Sequence, residues 1–165
     1  MATCIPEAIM LVIKTRLETI TVANGYENTV SEVIRPKRIE GGEPLDKSIF
    51  LLWGGTLTPI PENSCPGNPP AIAWGMPVAI AGILRTTETS TTAADTTRLQ
   101  FMSDIIKALG DSGSATWHTF GGNALNSRIV DVEPYQAADG SSSGFSVNLL
   151  VIPRTDETNL FTLRA

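Results

Sequence analysis

Apolar residues recur at two different periods along the 165-residue chain, and these periods constrain its fold more than any motif does. In two segments the spacing is mostly three and four residues, which places the apolar side chains on one face of an α-helix. The first stripe comprises Ile5, Ala8, Ile9, Val12, Ile13, Leu17 and Ile20, and the second comprises Leu99, Met102, Ile105, Ile106 and Leu109. Each stripe predicts a helix with one buried face.

The residues that flank the stripes predict where the two helices begin and end. Thr3 is the expected N-cap of the first helix, and Pro6 suits its first turn because no N–H is needed there. The β-branched residues within 19–22 predict the end of this helix. The second helix is expected to have Asp95 as its N-cap and Gly110 at its C-terminal turn.

The second period is two, and it predicts strands. Near the carboxyl end, every second residue is apolar and is expected to face inward: Phe145, Val147, Leu149 and Val151. The residues between them are Ser146, Asn148 and Leu150. With other short runs bounded by glycine or proline, this pattern predicts strands within residues 29–35, 48–55, 74–85, 127–134 and 144–152. Proline has no N–H to donate, so Pro36 is expected to stop the first strand, and Pro77 predicts a bulge or an edge in the third.

Two segments follow neither period. Residues 56–71 hold five prolines and are expected to form a loop without regular structure, and residues 153–165 are expected to form an extended C-terminal arm. The order of helix, strands, loop, strand, helix and strands is typical of the α+β class. We therefore predict one domain spanning residues 1–165, with two helices packed on a mainly antiparallel β-sheet.

The balance of charges argues against a nucleic-acid-binding role. The chain has 12 Lys and Arg against 17 Asp and Glu, a formal net charge of −5, whereas a phosphate-binding protein normally carries the opposite sign. Cys4 and Cys65 have neither metal-site spacing nor a disulfide framework, so free thiols are expected. No apolar run approaches the roughly 20 residues that span a bilayer, so no membrane contact is expected.

Residue types that carry catalysis show no convergent pattern. No nucleophile or orienting carboxylate lies at a sequence spacing from His118 that indicates a catalytic pair, so a structural or surface role is expected for this residue. A solvated acidic face is expected to include Glu27, Glu32, Glu40, Glu43 and Asp46. We therefore predict that the chain is not an enzyme and has no catalytic, metal-binding or cofactor-binding residue.

Residues of two kinds are candidates for contact with other protein chains. A basic cluster surrounds Pro36, and it either binds an acidic partner surface or balances Glu32 and Glu40. Large aromatic residues are enriched where subunits meet, and long structureless segments often have a function. The predicted subunit or partner contacts are Arg35, Lys37, Arg38, Trp53, Trp74, Arg154, Asp156 and Phe161.

Three segments, in this order along the chain, resemble a known family. "RLETITVANGY" ends the first predicted helix, "FMSDIIKAL" lies in the second, and "IPRTDETNLF" follows the last predicted strand. Together they resemble the tail terminator proteins of long-tailed bacteriophages, also called tail completion or minor tail U-like proteins. The Pro-rich segment 56–71 departs from the family pattern and is expected to be particular to this virion.

The resemblance implies an α/β subunit that assembles into a hexameric ring at the head-proximal end of the tail tube. Such a ring stops tube polymerisation and joins the tail to the neck. The implied partners are further copies of the chain, the tail-tube protein and a head-completion protein, in a virion assembled in the host cytoplasm. Six copies at −5 each carry about −30, so DNA is expected to pass through the lumen without specific binding.

Three other interpretations stay open. A head-completion, or head–tail joining, protein of the neck belongs to the same size class. A small hydrolase has a compatible size, and a small adaptor or ligand-binding module is the third alternative. Binding at tube ends separates a terminator from a head-completion protein, and a hydrolytic activity that is lost in His118→Ala would identify a hydrolase.

Overall fold

The computed structural model describes residues 3–35, 46–67, 70–85, 91–110, 117–136, 142–156 and 159–163. Within these ranges the chain forms two α-helices and an eight-stranded mixed sheet that is mostly antiparallel, which confirms the predicted α+β fold. The helices are α1 (Ile5–Glu18) and α2 (Thr91–Gly110). The strands are β1 (Glu32–Ile34), β2 (Ser48–Trp53), β3 (Thr58–Pro59), β4 (Ala71–Arg85), β5 (Asn126–Gln136), β6 (Ser142–Ile152), β7 (Arg154–Asp156) and β8 (Asn159–Leu163).

Strand β4 is 15 residues long and pairs first with β7 and then with β6. The antiparallel register is the same in both pairings, so β6 and β7 act as one strand opposite β4. Pro153 lies between them and keeps this register, because its carbonyl accepts a hydrogen bond from the Trp74 N–H at 2.9 Å. The resulting two-stranded ribbon is the spine to which the other strands are added.

The main sheet has the order β1-β2-β4-β6-β5. β1 lies parallel to β2, and the other neighbours are antiparallel. The first residues of β4 extend beyond this sheet, where β3 pairs on one side and β7 on the other. β8 pairs with β7 and contacts α1, so the carboxyl-terminal strands meet the amino-terminal helix.

The face of the sheet under the helices carries the residues predicted to point inward. Buried side chains on β6 are Phe145, Val147, Leu149 and Val151. The Phe145 ring meets Phe101 of α2 edge to face, with the ring centroids 5.6 Å apart. Gly82 of β4 lies against the same ring, since a Cβ there would stand 2.6 Å from Phe145 Cζ. Phe145 therefore occupies the space that a side chain at position 82 would need.

The predicted position and end of α1 are confirmed, but its predicted cap is wrong. The helix ends at Glu18 and has Pro6 in its first turn. The N-cap is Cys4, and not Thr3, and it makes no side-chain hydrogen bond to the helix. Proline near the start leaves one N–H fewer to satisfy, so a weak cap costs little here.

The predicted start and stripe of α2 are partly wrong. The helix begins at Thr91, so Asp95 lies inside it and forms an ion pair with Arg98 instead of capping it. Leu99 is 52% exposed, because the face that meets the sheet is set by the contact between Phe101 and Phe145. The buried residues of α2 include Phe101, Ile105, Ala108 and Leu109. Its last residue is Gly110, as predicted.

Pro77 causes no bulge in β4, but it does lie at a local edge, because on one side β2 pairs only from Val78 onward and β3 pairs only with Trp74 and Gly75. The register with β6 is unbroken there. The Pro77 carbonyl accepts a hydrogen bond from the Gly54 N–H at 2.9 Å, one residue beyond the end of β2. The N and O of one residue point to the same side of a strand. The Pro77 nitrogen, which has no N–H to donate, therefore faces the point where β2 ends.

The segment 56–71 is not without regular structure, contrary to the prediction. β3 pairs with β4 there, and Pro61–Asn63 forms a 3₁₀ turn. Because β3 is only two residues long, it pairs with β4 despite the prolines of this segment. The described residues of the segment 153–165 are strands, but they do not form a separate arm, because they pair within the chain as β7 and β8.

We expect Gly82→Ala to lower the free energy of unfolding by about 1–3 kcal/mol, since the added methyl group displaces Phe145 from Phe101. Denaturant unfolding of the purified variant measures this loss. Gly110→Ala is the matched control, because a Cβ there meets no atom within 4 Å and alanine favours helix. A Gly82→Ala variant as stable as the parent chain would contradict the packing described.

Candidate interaction surfaces

The segment between α1 and β1 is fixed to α2 by a buried carboxylate. Asp104 Oδ1 accepts a hydrogen bond from the Glu27 N–H at 3.1 Å. Asp104 Oδ2 accepts two from Asn28, one from its N–H at 2.8 Å and one from Nδ2 at 2.9 Å. Both Asp104 and Asn28 are buried, and a buried carboxylate is tolerated where such donors replace water. Asp104 therefore serves as a structural anchor.

Lys107, one turn further along α2, binds the same segment. Its Nζ donates to the Gly25 carbonyl at 2.9 Å and lies 4.9 Å from the centroid of the Tyr26 ring, within cation–π range. Gly25 has a φ of 81°, the left-handed conformation that ends the 3₁₀ turn before it. The segments "VANGY" and "FMSDIIKAL", which carry the family resemblance, thus contact each other directly.

Arg16 joins the carboxyl ends of the two helices. Its Nη1 donates to the Leu109 carbonyl at 3.2 Å, and the guanidinium lies 5.0 Å from the centroid of the Phe120 ring. A cation at the end of α2 complements the helix dipole. Burial lowers the pKa of Arg16. The contact stabilises the packing of α1 against α2.

We expect Asp104→Ala to lower the free energy of unfolding by roughly 3 kcal/mol, since buried N–H donors would lose their acceptor. Urea unfolding of the variant measures this loss. The control is Asp95→Ala on the same helix, where the carboxylate is exposed and its ion pair is expected to contribute less than about 1 kcal/mol. Equal losses in the two variants would show that Asp104 is no anchor.

Arg35, the first predicted partner contact, already has a partner within the chain. Its Nη1 and Nη2 donate to Glu7 Oε1 and Oε2 at 2.6 and 2.8 Å, which ties the end of β1 to the first turn of α1. These hydrogen bonds lower the pKa of Glu7 and raise the pKa of Arg35. Lys37 and Arg38, the rest of the basic cluster, lie outside the described residues.

The ion pair between Glu7 and Arg35 predicts a stability difference that disappears in acid. Because the pKa of Glu7 is lower in the folded chain, its contribution is complete above roughly pH 4.3 and is lost as the pH falls through the folded pKa. We expect Glu7→Gln to be less stable than the parent chain near pH 6, by less than about 1 kcal/mol since the pair is partly exposed, and equally stable in strong acid. Thermal unfolding across this pH range measures the difference. Arg35→Leu should reproduce it, and a difference that persists in acid would contradict the assignment.

The predicted contacts near the carboxyl end lie on and beside β7. Trp74 Nε1 donates to Thr155 Oγ1 at 3.0 Å, and Asp156 is buried. Arg154 is half-buried, and its Nε is buried without a hydrogen-bond partner among the described groups. Phe161 lies on β8, and its side chain is outside the described part of the structure. The contact of Trp74 holds β7 on β4 within the single chain.

Trp53 is the predicted contact whose side chain is exposed to solvent. It is the last residue of β2 and is 53% exposed. Gly54 and Gly55 follow it, so the next two residues have no side chain to cover the indole. An exposed tryptophan is typical of the anchors that bind another protein chain.

The opposite margin of the sheet exposes apolar residues that sequence analysis missed. Ile129 and Val130 of β5 are 39% and 57% exposed. The register with β6 shifts between Ile129 and Asp131, so Val130 is the extra residue of a β-bulge. The sequence signal for this bulge is the adjacent apolar pair within "SRIVDVE", a strand that otherwise alternates.

An apolar groove lies beside these residues, between the carboxyl end of α2 and the strands β5 and β6. Its cavity volume is about 100 Å³. Most of its wall is hydrophobic and is formed by Ile106, Leu109, Phe120, Ile129 and Leu149. We call Ile129, Val130 and this groove the β5 patch.

Groups that carry chemistry are not gathered into a site in the described ranges. Those ranges contain no cluster of three or more His, Cys, Asp or Glu that could hold a metal ion, and none of their helices is long and apolar enough to cross a membrane. Cys4 and Cys65 are free thiols, as predicted. A scan against protein-family models and a search of curated proteins found no match to this chain.

Proposed function

We propose that the chain is a tail terminator subunit of a long-tailed bacteriophage, which forms a ring that caps the tail tube and joins it to the neck. The resemblance of three sequence segments supports this proposal. Two of these segments meet where Lys107 binds the Gly25 carbonyl and where Arg16 binds the Leu109 carbonyl, which favours one structural unit over chance similarities. The proposed partners are further copies of the chain, the tail-tube protein and a head-completion protein.

The observation that carries the proposal is the exposure of apolar side chains at two separate margins of the sheet. Trp53 is exposed at one margin, and the β5 patch is exposed at the other. Contiguous exposed apolar surface, as in the β5 patch, marks a site that binds other chains, and an exposed tryptophan suits an interface anchor. A ring needs two such surfaces that differ from each other, because each copy contacts its two neighbours through different faces.

The use of carboxylates in the described part of the chain favours this function over a small hydrolase. Asp104 accepts three hydrogen bonds, Glu7 pairs with Arg35, and Asp95 pairs with Arg98. Each of these groups is engaged in holding the fold together. The net charge of −5 per copy supports a lumen through which DNA passes without specific binding.

We expect the purified protein to shorten the tubes formed by the tail-tube subunits of its phage and to appear as added density at one tube end. Negative-stain electron microscopy measures both the tube lengths and the end density. An unrelated acidic protein at the same concentration is the control. Tubes that grow to the same length with bare ends would contradict the proposal, and binding to DNA-filled heads instead of tubes would favour the head-completion alternative.

A further inference from the structure

We infer that successive copies of this chain meet through Trp53 of one copy and the β5 patch of the next, and that this contact closes a ring. The inference deepens the proposed function, on which it rests for the identity of the ring. The contact itself is argued from the register of the sheet, the groove and the charges at the two margins.

Trp53 and Ile129 stand in the same row of the sheet. Trp53 is opposite Val78, Val78 is opposite Leu149, and Leu149 is opposite Ile129. Residues directly opposite each other share a face of the sheet, so all four side chains point to the face under the helices. The two middle residues are buried and the two outer ones are exposed.

This row runs from one margin of the sheet to the other. β1 ends opposite Phe50, three residues before Trp53, so β2 is the outermost strand of the main sheet at this level. β5 is the outermost strand on the other side. With about 4.8 Å between neighbouring strands, the two exposed ends of the row are separated by roughly 14 Å of sheet.

A ring closes only when the two contact surfaces of each copy meet without a rise from one copy to the next. A contact between two different surfaces of successive copies gives a ring when the rotation closes and a helical filament when it does not. Because Trp53 and Ile129 lie in one row across the sheet, a contact between them is compatible with a rotation that joins successive copies without a rise. The geometry therefore favours a flat ring.

The groove of the β5 patch suits an aromatic edge. Its volume of about 100 Å³ holds part of an indole ring. Its walls are mainly apolar, and apolar surface removed from water contributes roughly 25 cal/mol per Å². Burial of Trp53 in this groove would cover the exposed residues at both ends of the row.

The edge of β5 favours a contact through side chains over an added strand. The bulge at Val130 interrupts the ladder, and bulges discourage edge pairing. The Trp74 N–H donates to the Pro153 carbonyl, and in the same register the N–H and C=O of Phe145 also face β4. Pro134 of β5 is opposite Phe145. Pro134 therefore turns its nitrogen to the open edge, where it has no N–H to offer another strand.

Charges at the margins disfavour a contact between two β5 margins. Asp131 and Glu133 are exposed on β5, so two β5 margins facing each other would repel. Arg35 follows β1 on the opposite margin and, by continuation of the register, is level with Val132 between those carboxylates. Its guanidinium binds Glu7 within the chain, so it adds no repulsion to a contact between unlike margins.

Disulfide trapping tests the contact directly. In a chain with Cys4 and Cys65 replaced by serine, we expect Trp53→Cys with Val130→Cys to form links between copies on oxidation. The linked species should build a ladder that ends in one closed species, seen by electrophoresis and native mass spectrometry. The matched control pairs Trp53→Cys with Leu99→Cys, since Leu99 is exposed at 52% and lies outside the β5 patch. No more linking than in this control would overturn the contact, and a ladder without a closed end would overturn closure.

Tube capping by single variants separates this inference from the proposed function. We expect Trp53→Ala and Val130→Asp to need about tenfold more protein to cap tubes, the order of loss expected for an interface anchor, while Leu99→Ala caps like the parent chain. Circular dichroism confirms that each variant is folded. If Trp53→Ala caps at the concentration of the parent chain, the contact is wrong and the function stands. If the parent chain forms linked rings but leaves tubes uncapped, the contact stands and the function is wrong.

Discussion

The antiparallel pairing of β4 with β6 and β7 is the constraint on which the rest of the structure depends. One register holds along the pairing, and a slip of one residue would move every side chain to the other face of the sheet. Phe145, Val147 and Leu149 would then leave the core for solvent. The same register sets Trp53 and Ile129 at one level, so the spacing of the proposed ring contact follows directly from the packing of the core.

In the turn after α1, polar side chains stabilise the fold through hydrogen bonds to the backbone. Asp104 and Lys107 bind the backbone of residues 25–28 from one face of α2. Most of the net stability of such contacts comes from avoiding unpaired buried groups. The residues that carry the family resemblance therefore have a structural use, and the exposed apolar margins are the surfaces that we propose for contact with other chains.

Periodicity predicted much of this fold because it reports burial directly. The alternation at Phe145–Val151 and the stripe of α1 needed no knowledge of neighbours. The cap at Asp95 and the burial of Leu99 were predicted wrongly, since the start and the rotation of α2 depend on Phe101 meeting Phe145. Of the residues in the proposed contact, Trp53 was among the candidates from the sequence, whereas Ile129 and Val130 were not, because a bulge is defined by the partner strand.

The central claim is that this chain acts through two unlike surfaces held at one height, and cryo-electron microscopy of the protein bound at tail-tube ends tests it most directly. The account predicts a single closed ring with no rise between copies, in which Trp53 of each copy lies against Ile129 and Val130 of the next. A helical stack, or a ring whose copies meet through the sheet face opposite the helices, would contradict it.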